Sequence, residues 1–298
     1  MSLRDTLKAL LVVSILGFNF VAIKIGVLEI PPLLLTGLRF FFAGIPVVFF
    51  VARPKASFRL VASFGFVLGV VQFGLLFVAI HMGMPAGLSS LVLQMQVFFT
   101  IALAFFLLGE QPTVLQILGG CVAAGGVAFI AAWKAQGASL VPFVLVLGAA
   151  LAWGVANIIT KRAGRIDMLA YIVWASLIPP LPLFALSLLI EGPNAVSAAL
   201  THLTWTAAGC VAFLAYPTTV FAFALWSGLL SRYSAATVTP FALLVPVAGI
   251  LSTSLVLGEP FGRIEIIGSI LVFIGLGLNI VSSRLAVAAA AIRQSRTA

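Results

Sequence analysis

Residues 86–132 read AGLSSLVLQMQVFFTIALAFFLLGEQPTVLQILGGCVAAGGVAFIAA. Two apolar runs flank one short break, Gly109-Glu110-Gln111-Pro112. Each run has the length a helix needs to cross a bilayer, about 20 mostly apolar residues. The runs are continuous, which excludes a membrane β-barrel built from alternating segments of about ten residues. The same pattern continues in both directions. Apolar runs fall at 7–27, 32–52, 60–80, 86–108, 112–132, 141–160, 168–190, 204–227, 234–257 and 262–282. Pro31-Pro32, Arg53-Pro54-Lys55, Pro85, Gly192-Pro193 and Gly258-Glu259-Pro260 punctuate them. The fold class this predicts is all-α integral membrane, with ten transmembrane helices.

Composition points the same way. The chain has 298 residues, of which 63% are hydrophobic and 8% charged, against about 25% charged in a soluble domain. Mean hydropathy is +1.27. A water-soluble fold of this size could not cover its surface with so few charges, so a soluble enzyme, a disordered chain and a disulfide scaffold are excluded. Cys121 and Cys210 lie inside apolar runs without metal-ligand spacing and read as small buried hydrophobes.

The net charge of +9 is a topological signal. With the N-terminus in the cytoplasm, Arg4, Lys8, Arg53, Lys55, Arg59, Lys161, Arg162, Arg165, Arg232, Arg284, Arg293 and Arg296 fall inside, and only Lys24, Lys134 and Arg263 outside. That is a strong positive-inside bias, and it puts both termini in the cytoplasm. The basic residues are thereby accounted for without nucleic acid. The first run is followed by Lys24-Ile25-Gly26 in place of a small-residue cleavage site, so it reads as an uncleaved span. Trp133 and Trp205 fall at outer span ends and Trp226 at an inner one, as in an interfacial aromatic belt.

The chain repeats itself. Gly17-Phe18-Asn19 leads to Lys24 in span one, and Gly154-Val155-Ala156-Asn157 to Lys161 in span six, 137 residues on. Leu108-Gly109-Glu110 returns as Leu257-Gly258-Glu259, Ile117-Leu118-Gly119 as Ile266-Ile267-Gly268, Gly126 as Gly275 and Ala86 as Ala235, each 149 residues on. The longer offset fits a longer outer loop from Glu191 to Leu203. Five spans repeated once must insert with opposite orientation, so the halves, 1–137 and 138–298, are inverted repeats. In such transporters the substrate site lies near the midplane between the halves.

The doubled five-span pattern, Arg39-Phe40 in span two and the two Leu-Gly-Glu turns resemble the drug/metabolite transporter superfamily, and within it the EamA-type exporters and their YddG-like aromatic amino-acid exporter subgroup. The resemblance covers about residues 7–283. It implies export of amino acids or related metabolites across the bacterial inner membrane. One departure is that the proline expected in span four is present at Pro246 of span nine and is Val97 in span four.

Polar side chains inside lipid are costly and face a partner or a cavity. Trp153, Asn157, Thr160 and Lys161 share one helical stripe in span six, with Asn19 as the counterpart in span one. Gln72 lies in span three. Gln94 and Gln96 of span four are about 200° apart on an α-helix and are not expected to face one cavity together. Tyr216 and Thr219 flank Pro217, which frees a backbone carbonyl. Arg39 either meets a substrate carboxylate or bonds neighbouring helices. The substrate-binding candidates are thus Asn19, Arg39, Gln72, Gln94, Gln96, Trp153, Asn157 and Tyr216, with Trp174 as a further stacking surface; for each, gluing helices together is the plainer alternative. Amides and hydroxyls suit a zwitterion. His81, Pro46 and Pro182, the last within Pro179-Pro180-Leu181-Pro182, are gating candidates. The glycines of spans five and ten permit close packing. Glu110 and Glu259 are expected to cap the helices that follow them.

All seven acidic residues fall in loops, tails or span ends. That argues against proton antiport through a midplane carboxylate, and against a membrane protease that needs deep aspartates or a Ser–His pair. No metal or cofactor is expected. The expected partners are a small-molecule substrate and membrane lipid, and the protein is expected to act as a monomer. The alternative function is export of nucleosides, sugars or lipophilic compounds on the same fold.

Overall fold

The computed structural model describes residues 1–134, 139–164, 166–233 and 235–297; Arg165, the side chains of Lys134, Ala235, Arg284, Arg293 and Arg296, and the boundary at 137/138 lie outside the described residues. In chain order the helices are α1 (Leu3–Glu29), α2 (Pro32–Val48), α3 (Phe58–His81), α4 (Ala86–Leu108), α5 (Val114–Lys134), α6 (Val141–Ala163), α7 (Met168–Glu191), α8 (Pro193–Thr201), α9 (Trp205–Arg232), α10 (Pro240–Leu257) and α11 (Arg263–Thr297). No strand occurs among the described residues. Nine helices there are long and apolar enough to cross a membrane. Large side chains stay exposed on them, such as Trp205 at 94% and Leu255 at 84%, because hydrocarbon takes the place of a protein partner.

Two elements differ from expectation. The run expected to span 32–52 ends as a helix at Val48, 17 residues long, or about 26 Å against a hydrocarbon core of about 30 Å. Pro46, inside its last turn, removes one donor and weakens that turn. The outer loop expected from Glu191 to Leu203 contains α8, started by Pro193 at its first position.

Several long helices change winding. α3 carries a π turn at Phe66–Gln72, α7 another at Ser187–Glu191 and α9 a third at Leu214–Phe221, around Pro217. A 3₁₀ turn at Leu93–Met95 interrupts α4. α7 breaks at 176–179 and resumes at Pro180, which places Pro182 in the first turn of the resumed segment. Such bulges are how prolines and inserted side chains are absorbed in long helices.

Close packing relies on small residues. α5 and α11 make the most extensive helix–helix contact. A Cβ on Gly119 would lie 2.6 Å from the Gly275 carbonyl oxygen, and one on Gly126 2.7 Å from that of Gly268. Gly17 of α1 approaches Ala248 of α10 equally closely, and Gly154 of α6 approaches Phe99 and Thr100 of α4.

A cavity of amides, aromatics and one arginine

A cavity of about 550 Å³ lies among α1, α2, α3, α4, α6, α7, α9, α10 and α11, within the usual range for small-molecule sites. Its lining runs from Arg39, Leu76 and Ser90 to Phe64, Thr160, Met168, Trp226 and Ile280 at the end of the bundle that carries Arg59, Lys161 and Arg232. We call this the basic end.

Asn19, Arg39, Gln94, Gln96, Trp153 and Asn157 all line the cavity. Asn157 Nδ2 donates to Gln96 Oε1 at 2.7 Å and to Thr100 Oγ1 at 3.0 Å, tying α6 to α4. Both span-four glutamines reach the cavity, contrary to the expectation from ideal winding. The 3₁₀ turn between them advances about 120° per residue in place of 100°. Two residues then span 240°, and the shorter arc between the amides falls from about 160° to about 120°.

Arg39 is 2% exposed. Its Nε donates to Thr219 Oγ1 at 3.1 Å, and Thr219 Oγ1 in turn donates to the Leu214 carbonyl at 2.8 Å. The π turn makes this possible by setting Thr219 five residues beyond Leu214 on the same side. The guanidinium carbon lies 4.1 Å from the Phe73 ring centroid and 5.5 Å from that of Phe40. These faces stabilise a cation in a dry setting. Arg39 Nη1, Asn19 Oδ1 and Thr218 Oγ1 are buried without a hydrogen-bond partner among the described residues.

The remaining candidates lie elsewhere. Gln72 is fully buried, off the cavity lining, with both amide atoms unpartnered among the described residues. Tyr216 is 40% exposed and off the lining, while Thr218 is on it; the extra residue in the π turn rotates the face. Trp174 is also off the lining and donates from Nε1 to the Val51 carbonyl at 3.2 Å. Pro46 and Pro182 sit at the helix features described above. His81 borders a second recess with Val27, Glu29, Glu191 and His202 at the opposite end of the bundle, where its Nδ1 donates to the Val27 carbonyl at 2.9 Å. Trp226, assigned from sequence to an interfacial belt, lines the central cavity. Phe20, Phe73, Thr218 and Asn279 of the lining were missed, since single apolar, hydroxyl or amide residues carry no periodic signal.

At that opposite end the helices are tied together. Glu259 accepts from the Ala86 and Gly87 amides at 2.9 and 3.0 Å, and Glu191 from those of Leu33 and Leu34 at 2.7 and 3.3 Å. α4 and α2 each begin after a proline that offers no side-chain cap. In each, a carboxylate from far along the chain fills the vacancy. This corrects the expectation that Glu259 and Glu110 cap the helices following them. Gly258 in the left-handed region ends α10 and turns Glu259 toward α4. α5 is instead served by Thr113, which receives the Gln116 amide at 3.3 Å while Gln116 Oε1 accepts from the Thr113 amide at 2.9 Å. Glu110 pairs with Lys161 at 2.5 Å.

A helical membrane protein enclosing a part-polar cavity between many helices has the form of a solute transporter. The chain belongs to the EamA-like transporter family, whose model matches residues 6–132 and 141–281. It is 40% identical over 290 residues, 95% of this chain and 97% of the relative, to a protein of Salmonella typhimurium named probable amino-acid metabolite efflux pump. It is 26% identical over 263 residues, 84% of this chain and 81% of the relative, to a protein of Escherichia coli K12 named uncharacterized inner membrane transporter YedA. A solved structure 17% identical in sequence, covering 94% of this chain and 97% of its own, superposes with a TM-score of 0.62 and shares the fold. The chain is a multi-pass transporter of the bacterial inner membrane.

Proposed function

We propose that the protein exports amino acids, aromatic or other neutral ones, or similar small zwitterions by alternating access through the central cavity. The observation that carries this reading is the cavity wall: amides, hydroxyls and aromatic rings around a single arginine, with no carboxylate among its lining residues. The amides and hydroxyls of such a wall hydrogen-bond a carboxylate or an ammonium without themselves placing a full charge in the bilayer. The name of the Salmonella relative agrees. Without a carboxylate there, uniport or exchange is favoured over carboxylate-based proton antiport. The protein acts as a monomer.

In this reading, residues 1–137 and 138–298 are two inverted five-helix halves with both termini cytoplasmic, and α2 is the tenth span. Reciprocal packing supports it. Gly119 meets Gly275 while Gly126 meets Gly268, and both 119/268 and 126/275 are 149 apart. Likewise Gly17 meets Ala248 while Gly154 meets Phe99. The basic end is then cytoplasmic, and the cavity is inward-reaching. His81, Pro46 and Pro182 serve opening and closing.

The apolar part of the wall, with Phe20, Phe64, Phe73, Phe223 and Trp226, favours a second reading, export of lipophilic compounds. A substrate panel in proteoliposomes, with and without a pH gradient, separates the two. The expected result is downhill movement of at least one common amino acid, unchanged by the gradient. Failure to move any of them sinks the first reading. Trp153→Ala and Asn157→Ala are expected to lower that transport roughly tenfold, on the scale of a lost hydrogen bond or stacking contact; unchanged rates would remove them from the site.

A further inference from the structure

We infer that Arg39 and Asn19 form a head-group subsite that requires both a free carboxylate and a free ammonium on the substrate. The inference rests on the exporter reading and names which part of the cavity holds which part of the molecule.

A guanidinium has five N–H donors. In Arg39, Nε is engaged by Thr219, Nη1 has no partner, and among the described residues no carboxylate forms an ion pair with it. A buried cation in that condition is poorly compensated, since ring faces supply charge density and no hydrogen-bond acceptors. The Thr219 bond and the Phe73 face fix the plane of the fork and leave its outer edge unused. A planar, two-oxygen anion completes it. A phosphate is disfavoured, because the cavity lining offers no second Lys or Arg.

One other unpartnered atom of the lining has the complementary polarity. Asn19 Oδ1 can only accept. Asn19 is 6% exposed and lines the same cavity from α1, next in sequence to the helix that carries Arg39. A substrate ammonium offers three donors to such an acceptor. Asn157 Nδ2 is held by Gln96 and Thr100, and in this assignment the span-six amide serves as a wall of the cavity and the span-one amide as the recognition group. The substrate side chain then extends past Trp153 toward the basic end.

The experiment uses the wild-type protein in proteoliposomes. Each common L-amino acid is tested for exchange. For every one exchanged, the methyl ester, the decarboxylated amine and the N-acetyl derivative are tested as competitors. All three are expected to compete at least tenfold more weakly than the parent, the scale of a lost charge-assisted hydrogen bond. Arg39→Gln is expected to reduce exchange by a similar factor, with Arg39→Lys intermediate because it keeps the charge and loses the fork. Any of the three derivatives that competes as well as the parent overturns the subsite while the exporter reading stands. Absence of exchange for every amino acid overturns both. The wild-type competitor series decides the matter even where an Arg39 variant does not fold.

Discussion

Leu108-Gly109-Glu110 and Leu257-Gly258-Glu259 are the same three residues in the same local fold. Gly109 has φ 70° and ψ 17°, Gly258 has φ 64° and ψ 21°, and each ends a long helix in the left-handed region. The glutamates that follow have different lives. Glu259 holds two backbone amides of α4, some 170 residues earlier in the chain. Glu110 makes one ion pair with Lys161 in which both side chains are about half exposed. One turn therefore fastens the end of α10 to the start of α4, and the other sits at the end toward which the cavity extends. Local sequence determines how a helix stops; which partner the next residue finds depends on what the rest of the bundle has brought there.

The comparison is broken most directly at Glu259. Glu259→Ala leaves two helix-terminal amides uncapped and is expected to cost about 1.5–3 kcal/mol, the range for hydrogen bonds to a charged group, read as a lower apparent Tm by thermal unfolding in detergent. In the same background a cysteine at Ser90, on the cavity lining, is expected to react faster with an impermeant maleimide added from the Glu259 end. An unchanged melting profile would mean the carboxylate does not hold the two helices. The glycines come next. A Cβ at either Gly109 or Gly258 meets nothing within 4 Å, so Gly→Ala is expected to cost only backbone strain, about 1–2 kcal/mol and equal at both sites. Unequal losses would show that the turns differ locally after all. The smallest effect belongs to Glu110→Ala, expected at about 0–1 kcal/mol for a half-exposed ion pair and less at high salt. A loss as large as that of Glu259→Ala would erase the contrast.

Much of the bundle was legible because hydrocarbon imposes a simple length and polarity rule. The runs at 86–108 and 141–160, for instance, became α4 (Ala86–Leu108) and α6 (Val141–Ala163) with little change. The candidate site was legible where polar residues kept helical spacing, as with Trp153 and Asn157. It was obscured where winding changed. The 3₁₀ turn brought Gln94 and Gln96 to one cavity, and the π turn around Pro217 put Thr218 on the wall in place of Tyr216. Each shift of one residue or a few tens of degrees is invisible to a fixed period of 3.6.

By itself the sequence determined the solvent of this chain, the positions of its long helices and the small residues at which they touch, since burial in lipid and steric room are properties of short segments. Tertiary structure alone decided that Glu259 reaches α4, that Trp226 faces inward, and that Arg39 is held by Thr219 and the Phe73 face. Those outcomes depend on which unsatisfied donors and acceptors meet across the bundle, and that is settled only when distant segments pack.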